Sequence, residues 1–129
     1  MRLILMNYRL AACRLDPWQP PPQWALTSPF FSITRSADEL SVICDERDVP
    51  PGQEARTGIA AMRLASAPEH DETGILSSLL AALADSGISV LAVSTYETDF
   101  ILISAERLPE ARAALRDAGH EVEDHNTPR

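Results

Sequence analysis

From Ile59 onward the apolar residues switch between a period near two and a period near 3.6, and Gly or Pro marks nearly every switch. A short apolar run reaches Ala67, and a polar loop follows at Pro68 to Thr73. Ile75, Leu76, Leu79, Leu80 and Leu83 then recur at helical spacing. Asp71 or Thr73 suits the start of that helix, and Gly87 suits a left-handed stop. Strand-like runs follow at Ile88 to Thr95 and Phe100 to Ser104. A second helix carries Pro109 near its first turn, turns Leu108, Ala111, Leu115 and Ala118 inward and stops at Gly119, before a short strand around Val122. The order strand, helix, strand, strand, helix, strand is the split βαβ plan. It predicts an α+β, ferredoxin-like domain whose antiparallel sheet carries both helices on one face.

Residues 1–58 are less complete. Leu3 to Leu15 reads as a strand, and Pro17, Pro20, Pro21, Pro22 and Pro29 then interrupt regular structure, with Trp18 and Trp24 between them. Two indoles in a Pro-rich stretch predict an ordered loop that covers apolar surface. Phe30 to Thr34 and Leu40 to Cys44 form a hairpin about the polar turn Arg35 to Glu39. Asp45 to Gly58 is charged and carries Pro and Gly, which predicts a loop and the main internal boundary. The division expected is 1–58, 59–124 and a tail at 125–129. A strand, loop, strand, strand unit leaves a sheet face bare unless its strands exchange with the other unit or with a second chain.

Charge narrows the partners. The 129 residues contain no Lys, and the net charge is −8. Six Arg face seven acids in residues 1–60, and five face twelve in 61–129, so the excess lies in the second half. Nucleic acid is not expected as a partner. No run approaches the roughly 18–20 apolar residues of a membrane span, and Leu3 to Met6 is too short for a secretion signal. Cys13 and Cys44 sit in apolar strand runs without a CxxC partner, as reduced core thiols of a cytoplasmic protein do.

Chemistry-bearing residues concentrate at one turn. In Gly87 to Ile103 a polar segment, Ser94 to Asp99, separates two apolar runs and ends in a lone carboxylate. By composition alone this is a solvated hairpin; its hydroxyls, phenol and carboxylate can also hold a small polar ligand. His70, Asp71 and Glu72, and His120 and His125 around Glu121, Glu123 and Asp124, lack a closed metal spacing, so neither a metal nor a cofactor is expected. Ser77 and Ser78 lie in an apolar helix, and no motif sets a His beside them. Glu97 and Asp99 are a carboxylate pair with little desolvation to raise a pKa, so no enzyme is expected.

Phe31-Ser32-Ile33-Thr34, Asp38 to Cys44, and Gly87 to Ile103 together resemble the small bacterial ACT-domain proteins related to the CASTOR arginine sensors. The likeness runs from Cys13-Arg14-Leu15 through the last helix, and Ser94 to Phe100 is its most specific part. It implies a non-catalytic regulatory sensor that binds a free amino acid, arginine being the family's suggestion. It also makes residues 1–58 an incomplete ACT-like unit. The family's ligand contacts fall on Thr73, Gly74 and Ile75 at the helix start, on Thr95, Tyr96 and Asp99 in the hairpin, and on Ser89 and Val90. These groups come from facing domains, which implies a homodimer. The residues suit those roles, since a helix start offers free N–H groups to a carboxylate, Asp99 can take an ammonium, and Tyr96 can stack on a cation.

Two segments depart from the family. Ala65 to Glu72 replaces a Gly-Pro-Leu-Asp-Phe-like run, and Gly58-Ile59 replaces Gly-Trp. Glu69, Asp71 and Glu72 add negative charge beside the expected carboxylate site, which favours a basic ligand or marks a lost one. The second reading is therefore a structural ACT module that dimerises without a ligand.

Overall fold

The computed structural model describes residues 1–65 and 72–125, with Glu72 and Thr73 described through their backbone alone. Seven strands and two α-helices are present: β1 (Arg2–Leu15), β2 (Ser32–Arg35), β3 (Leu40–Asp45), β4 (Ala55–Leu64), α1 (Glu72–Asp85), β5 (Leu91–Ser94), β6 (Asp99–Ser104), α2 (Leu108–Asp117) and β7 (Glu121–Asp124). The chain forms two compact units, one of Met1–Asn7 with residues from Ala60 onward, the other of Tyr8–Ile59. β1 and β4 each contribute residues to both.

In the unit that holds the helices, β1 pairs in parallel with β7, from Arg2↔Glu121 to Leu5↔Asp124. On its other side the strand order runs β1-β4-β6-β5, and β5 and β6 form an antiparallel hairpin from Leu91↔Leu102 to Ser94↔Asp99. Alternate strand residues Leu3 and Leu5, Ala60, Met62 and Leu64, and Ile101 and Ile103 join Leu79, Leu83, Ala111 and Leu115 in one buried cluster. Residues of one strand parity meeting both helices place α1 and α2 on the same sheet face. This is the predicted α+β, ferredoxin-like ACT class, with one difference from the expected antiparallel sheet: β1 stands between β4 and β7 and pairs with β7 in parallel.

Both helices end as expected, and by the same device. Gly87 has φ +72°; its N–H donates to Ala84 O at 2.9 Å, and Ile88 N–H donates to Leu83 O at 3.0 Å. Gly119 has φ +91°; its N–H donates to Arg116 O at 3.0 Å, and His120 N–H donates to Leu115 O at 2.8 Å. This pair of bonds is the Schellman cap, whose last residue usually returns to the core. Ile88 does so as an apolar side chain, whereas the second cap inserts His120.

In Tyr8–Ile59 the strand order is β2-β3-β1-β4, with β1 and β3 antiparallel from Leu10↔Asp45 to Leu15↔Leu40. Ala11, Cys13, Ala25, Leu40, Val42 and Cys44 form its core, with Trp24 packed against them. Of the two indoles expected to cover apolar surface, only Trp24 does. Trp18 is 77% exposed, because its backbone N–H donates to Asp16 Oδ1 at 2.9 Å in a turn that carries the ring outward. Ser28 fastens the Pro-rich segment: its hydroxyl donates to Asp48 Oδ2 at 2.6 Å and accepts from Asp45 N–H at 3.1 Å. Both thiols are buried and unpaired by a disulfide. Desolvation, reinforced by Cys13, pushes the Cys44 thiol up to about 11.

The expected loop at 45–58 is only partly a loop. A 3-10 turn at Glu46–Asp48 is capped by the buried Asp45 carboxylate, which accepts from Arg47 N–H at 2.9 Å, and β4 begins already at Ala55. Gly58 reads as a loop signal, but it lies inside β4 at φ +70°, a conformation that costs glycine little.

Candidate functional site

The β5–β6 turn holds itself together. Thr95 N–H donates to Thr98 O at 2.7 Å, Thr95 Oγ1 donates to the same carbonyl at 3.0 Å, and Thr98 N–H donates back to Thr95 Oγ1 at 3.2 Å. Thr98 Oγ1 also donates to Leu64 O at 3.0 Å, fixing the turn to the end of β4. Two threonines in register therefore replace the mobility expected of an exposed turn with a closed network. At the turn's base, Ser94 Oγ donates to Asp99 Oδ1. Tyr96, at the apex, is fully exposed.

Beside this turn lies an open concavity of about 530 Å³, lined by Arg63, Leu64 and Ala65 from the end of β4 and by Thr95, Tyr96, Glu97, Thr98 and Phe100 from the hairpin. Of the expected ligand contacts, Thr95 and Tyr96 are on this wall. Asp99 is half-buried between the lining residues Thr98 and Phe100 without lining the concavity itself. Gly74 is exposed in the first turn of α1, which begins at Glu72, two residues before the expected start. Ile75 packs on the core cluster, and so does Val90, while Ser89 is exposed just before β5. The side chain of Thr73 and the acidic residues Glu69, Asp71 and Glu72 lie outside what is described.

Arg63, Thr98 and Phe100 were not legible as site residues. Arg63 differs from Met62 and Leu64 in strand parity, which puts it off the helix-packed face. That alternation was the available signal; the pairing of Thr98 with Leu64, 34 residues apart, had none.

Elsewhere, one pairing corrects the sequence reading. Ser78 Oγ and His120 Nε2 lie 3.1 Å apart, across 42 residues that no local motif spans. Among the described residues His120 Nδ1 is buried without a partner, so none of them orients the ring as a general base requires. Burial, and then the charge of the Met1 amino group, lowers the His120 pKa. The pair is a side-chain hydrogen bond that ties α1 to the cap of α2. His120 and His125 gather no metal set: among the described residues, no three His, Cys, Asp or Glu side chains converge. Glu123 instead pairs with Arg2 at 3.6 Å and Asp124 with Arg112 at 2.6 Å. His70 and Asp71 lie outside the described residues. No described helix is long and apolar enough to cross a membrane.

A sheet that is mostly antiparallel, with two helices on one face and a self-bonded hairpin beside a cleft, is the architecture of an ACT domain. The family comparisons agree: a model of the ACT domain matches residues 54–117, and a model of an N-terminal domain matches residues 9–52. The solved structure of Atu0741 from Agrobacterium tumefaciens is 30% identical, with TM-score 0.92 over 99% of this chain and 96% of that one. The cytosolic arginine sensor for mTORC1 subunit 1 of Homo sapiens is 31% identical over 90 residues, 61% of this chain and 27% of the human protein. The chain thus spans about a quarter of that relative. The ligand-free regulatory subunit of aspartate kinase from Thermus thermophilus shares the fold, with TM-score 0.63 at 14% identity over 87% of this chain and 93% of that one. The chain belongs to the ACT-domain family and is related to the CASTOR arginine sensors.

Proposed function

We propose that this chain is a non-catalytic, cytoplasmic regulatory protein that binds a free amino acid at the β5–β6 hairpin. Thr95, Tyr96 and Asp99 contact the ligand from the hairpin and Thr73, Gly74 and Ile75 from the start of α1. Ser89 and Val90 of a second copy close the site in a homodimer. The supporting observation is the turn itself: its hydrogen bonds are satisfied internally, it is anchored to Leu64, and it presents Thr95 and Tyr96 to a cleft large enough for an amino acid. A rigid turn that lines a cleft binds with less ordering cost than a loose one.

Each charge-assisted hydrogen bond contributes about 1.5–3 kcal/mol, so a few such contacts reach millimolar affinity. Micromolar affinity, about −8 kcal/mol, requires water to be excluded, which a second copy supplies. Arginine is the first ligand to test, since a relative is named as an arginine sensor. The rival reading, a dimeric module without ligand, draws on the Ser94 hydroxyl, which already occupies one oxygen of Asp99.

A thermal-shift screen of free amino acids, run with Asp99→Ala and Gly74→Leu, separates the two. The sensor reading expects at least one amino acid at millimolar concentration to raise the Tm of the wild type, and the gain to shrink in Asp99→Ala. A flat screen leaves the module reading standing. A gain untouched by Asp99→Ala moves the ligand off the hairpin.

A further inference from the structure

Arginines in the helical unit are almost all committed. Arg2 pairs with Glu123, Arg107 with Glu110, Arg112 with Asp124 and Arg116 with Asp117. Arg63 is the exception: among the described residues it has no carboxylate within ion-pair distance, although the chain carries eight more acids than bases. Its one hydrogen bond is a long one, 3.4 Å, to the carbonyl of the next residue, Leu64. Arg63 is nonetheless half-buried, between core residues Met62 and Leu64, and it lines the cleft that Thr95 and Tyr96 share.

A guanidinium partly withdrawn from water gains most from an anion that fits its fork. Among the described residues, the surrounding wall supplies no carboxylate within ion-pair distance of it. Glu97 is on the same wall but is exposed at the turn and forms no ion pair with Arg63.

We propose that Arg63 is the carboxylate anchor of the site, gripping the free α-carboxylate of the bound amino acid through its guanidinium. The inference rests on the amino-acid reading above and deepens it: the ligand class becomes molecules with a free carboxylate, and C-terminally amidated or peptide-bonded forms are rejected. The N-terminus of α1, which the sequence suggests for this role, is then secondary, because a helix dipole is weak beside a charge-assisted bidentate pair.

The test is isothermal titration of the wild type, Arg63→Gln, Arg63→Lys and Gly74→Leu with free L-amino acids and with the matching L-amino-acid amides. Unliganded Tm values show that each variant is folded. Expected are binding of a free acid by the wild type and rejection of its amide. Arg63→Gln then loses about ten- to hundred-fold in affinity for the acid and ceases to discriminate between the two forms, with partial recovery in Arg63→Lys. Gly74→Leu, a change at a proposed contact, weakens binding of the free acid but keeps the discrimination against the amide. If Arg63→Gln binds acid and amide as the wild type does, or if the discrimination disappears in Gly74→Leu instead, Arg63 is not the anchor, while the amino-acid reading survives. If the wild type binds neither form of any amino acid, the reading and the anchor fall together.

Discussion

The unit with α1 and α2 packs Leu, Ile and Met side chains, whereas Tyr8–Ile59 packs Ala11, Cys13, Ala25 and Cys44 around Leu40 and Val42. The difference follows the covering layer. Helices stand off a sheet by the length of large side chains, so Leu79, Leu83, Ala111 and Leu115 need Met62, Ile101 and Ile103 beneath them. A loop built from prolines lies closer, and small strand residues leave it room. Both solutions bury a sheet face, but the first holds more of the large side chains whose removal opens a void, against Leu40 and Val42 in the second.

That contrast sets the largest expected effect. Leu115→Ala should lower the free energy of unfolding by about 2–5 kcal/mol in chemical denaturation, through lost burial and a residual cavity. Cys44→Ala, at an equally buried site, should cost about 1 kcal/mol. Equal losses would show that the loop-covered core is as tightly filled as the helix-covered one.

The two units should also fail at opposite ends of the pH scale. Cys44 in the fold has its pKa raised from 9.0 to about 11, so the unfolded chain releases the proton first. Its contribution is complete below about pH 9 and is lost as pH rises from there toward 11, by up to about 2–3 kcal/mol. Cys44→Ala should flatten that alkaline limb. His120 has the reverse sign. Its folded pKa is lowered, so the unfolded state binds the proton first, and stability falls as pH drops below the ordinary histidine value of about 6.5. His120→Leu, which restores an apolar residue at the helix cap, should remove this acid component from a pH series of denaturation curves. An acid limb identical in the two proteins would assign the loss to carboxylates instead.

The smallest effect falls on the Pro-rich loop. Trp18→Ala should change stability by less than about 0.5 kcal/mol, because the ring is exposed, and Trp24→Ala should cost clearly more. Matching losses would mean that both indoles cover the core in solution.

These differences explain what the sequence could and could not tell. Helix ends were legible because Gly87 and Gly119 act on carbonyls a few residues away, and periodicity fixed the helix faces for the same local reason. The start of β4 was hidden, since Gly58 means a turn in most chains and a strand residue in this one. At the site, Thr95, Tyr96 and Asp99 stood out as a polar run between apolar ones. Arg63 did not, because one charged residue in a strand is ordinary until the cleft beside it and the pairing of every other described arginine in its unit are known. Ser78 and His120 meet only once α1 and the cap of α2 are packed together.

The parallel pairing of Arg2–Leu5 with Glu121–Asp124 bears on how the chain is made. A ribosome delivers the first of these strands long before the last, so the edge of Arg2–Leu5 that pairs with β7 must wait for a partner that emerges more than a hundred residues later. In the interval the nascent strand is an open edge with apolar side chains, the kind of segment that pairs with the wrong neighbour or recruits a chaperone. The helical unit therefore cannot close before Glu121–Asp124 has emerged, so the cleft beside its hairpin is framed late relative to the strand that opens the unit.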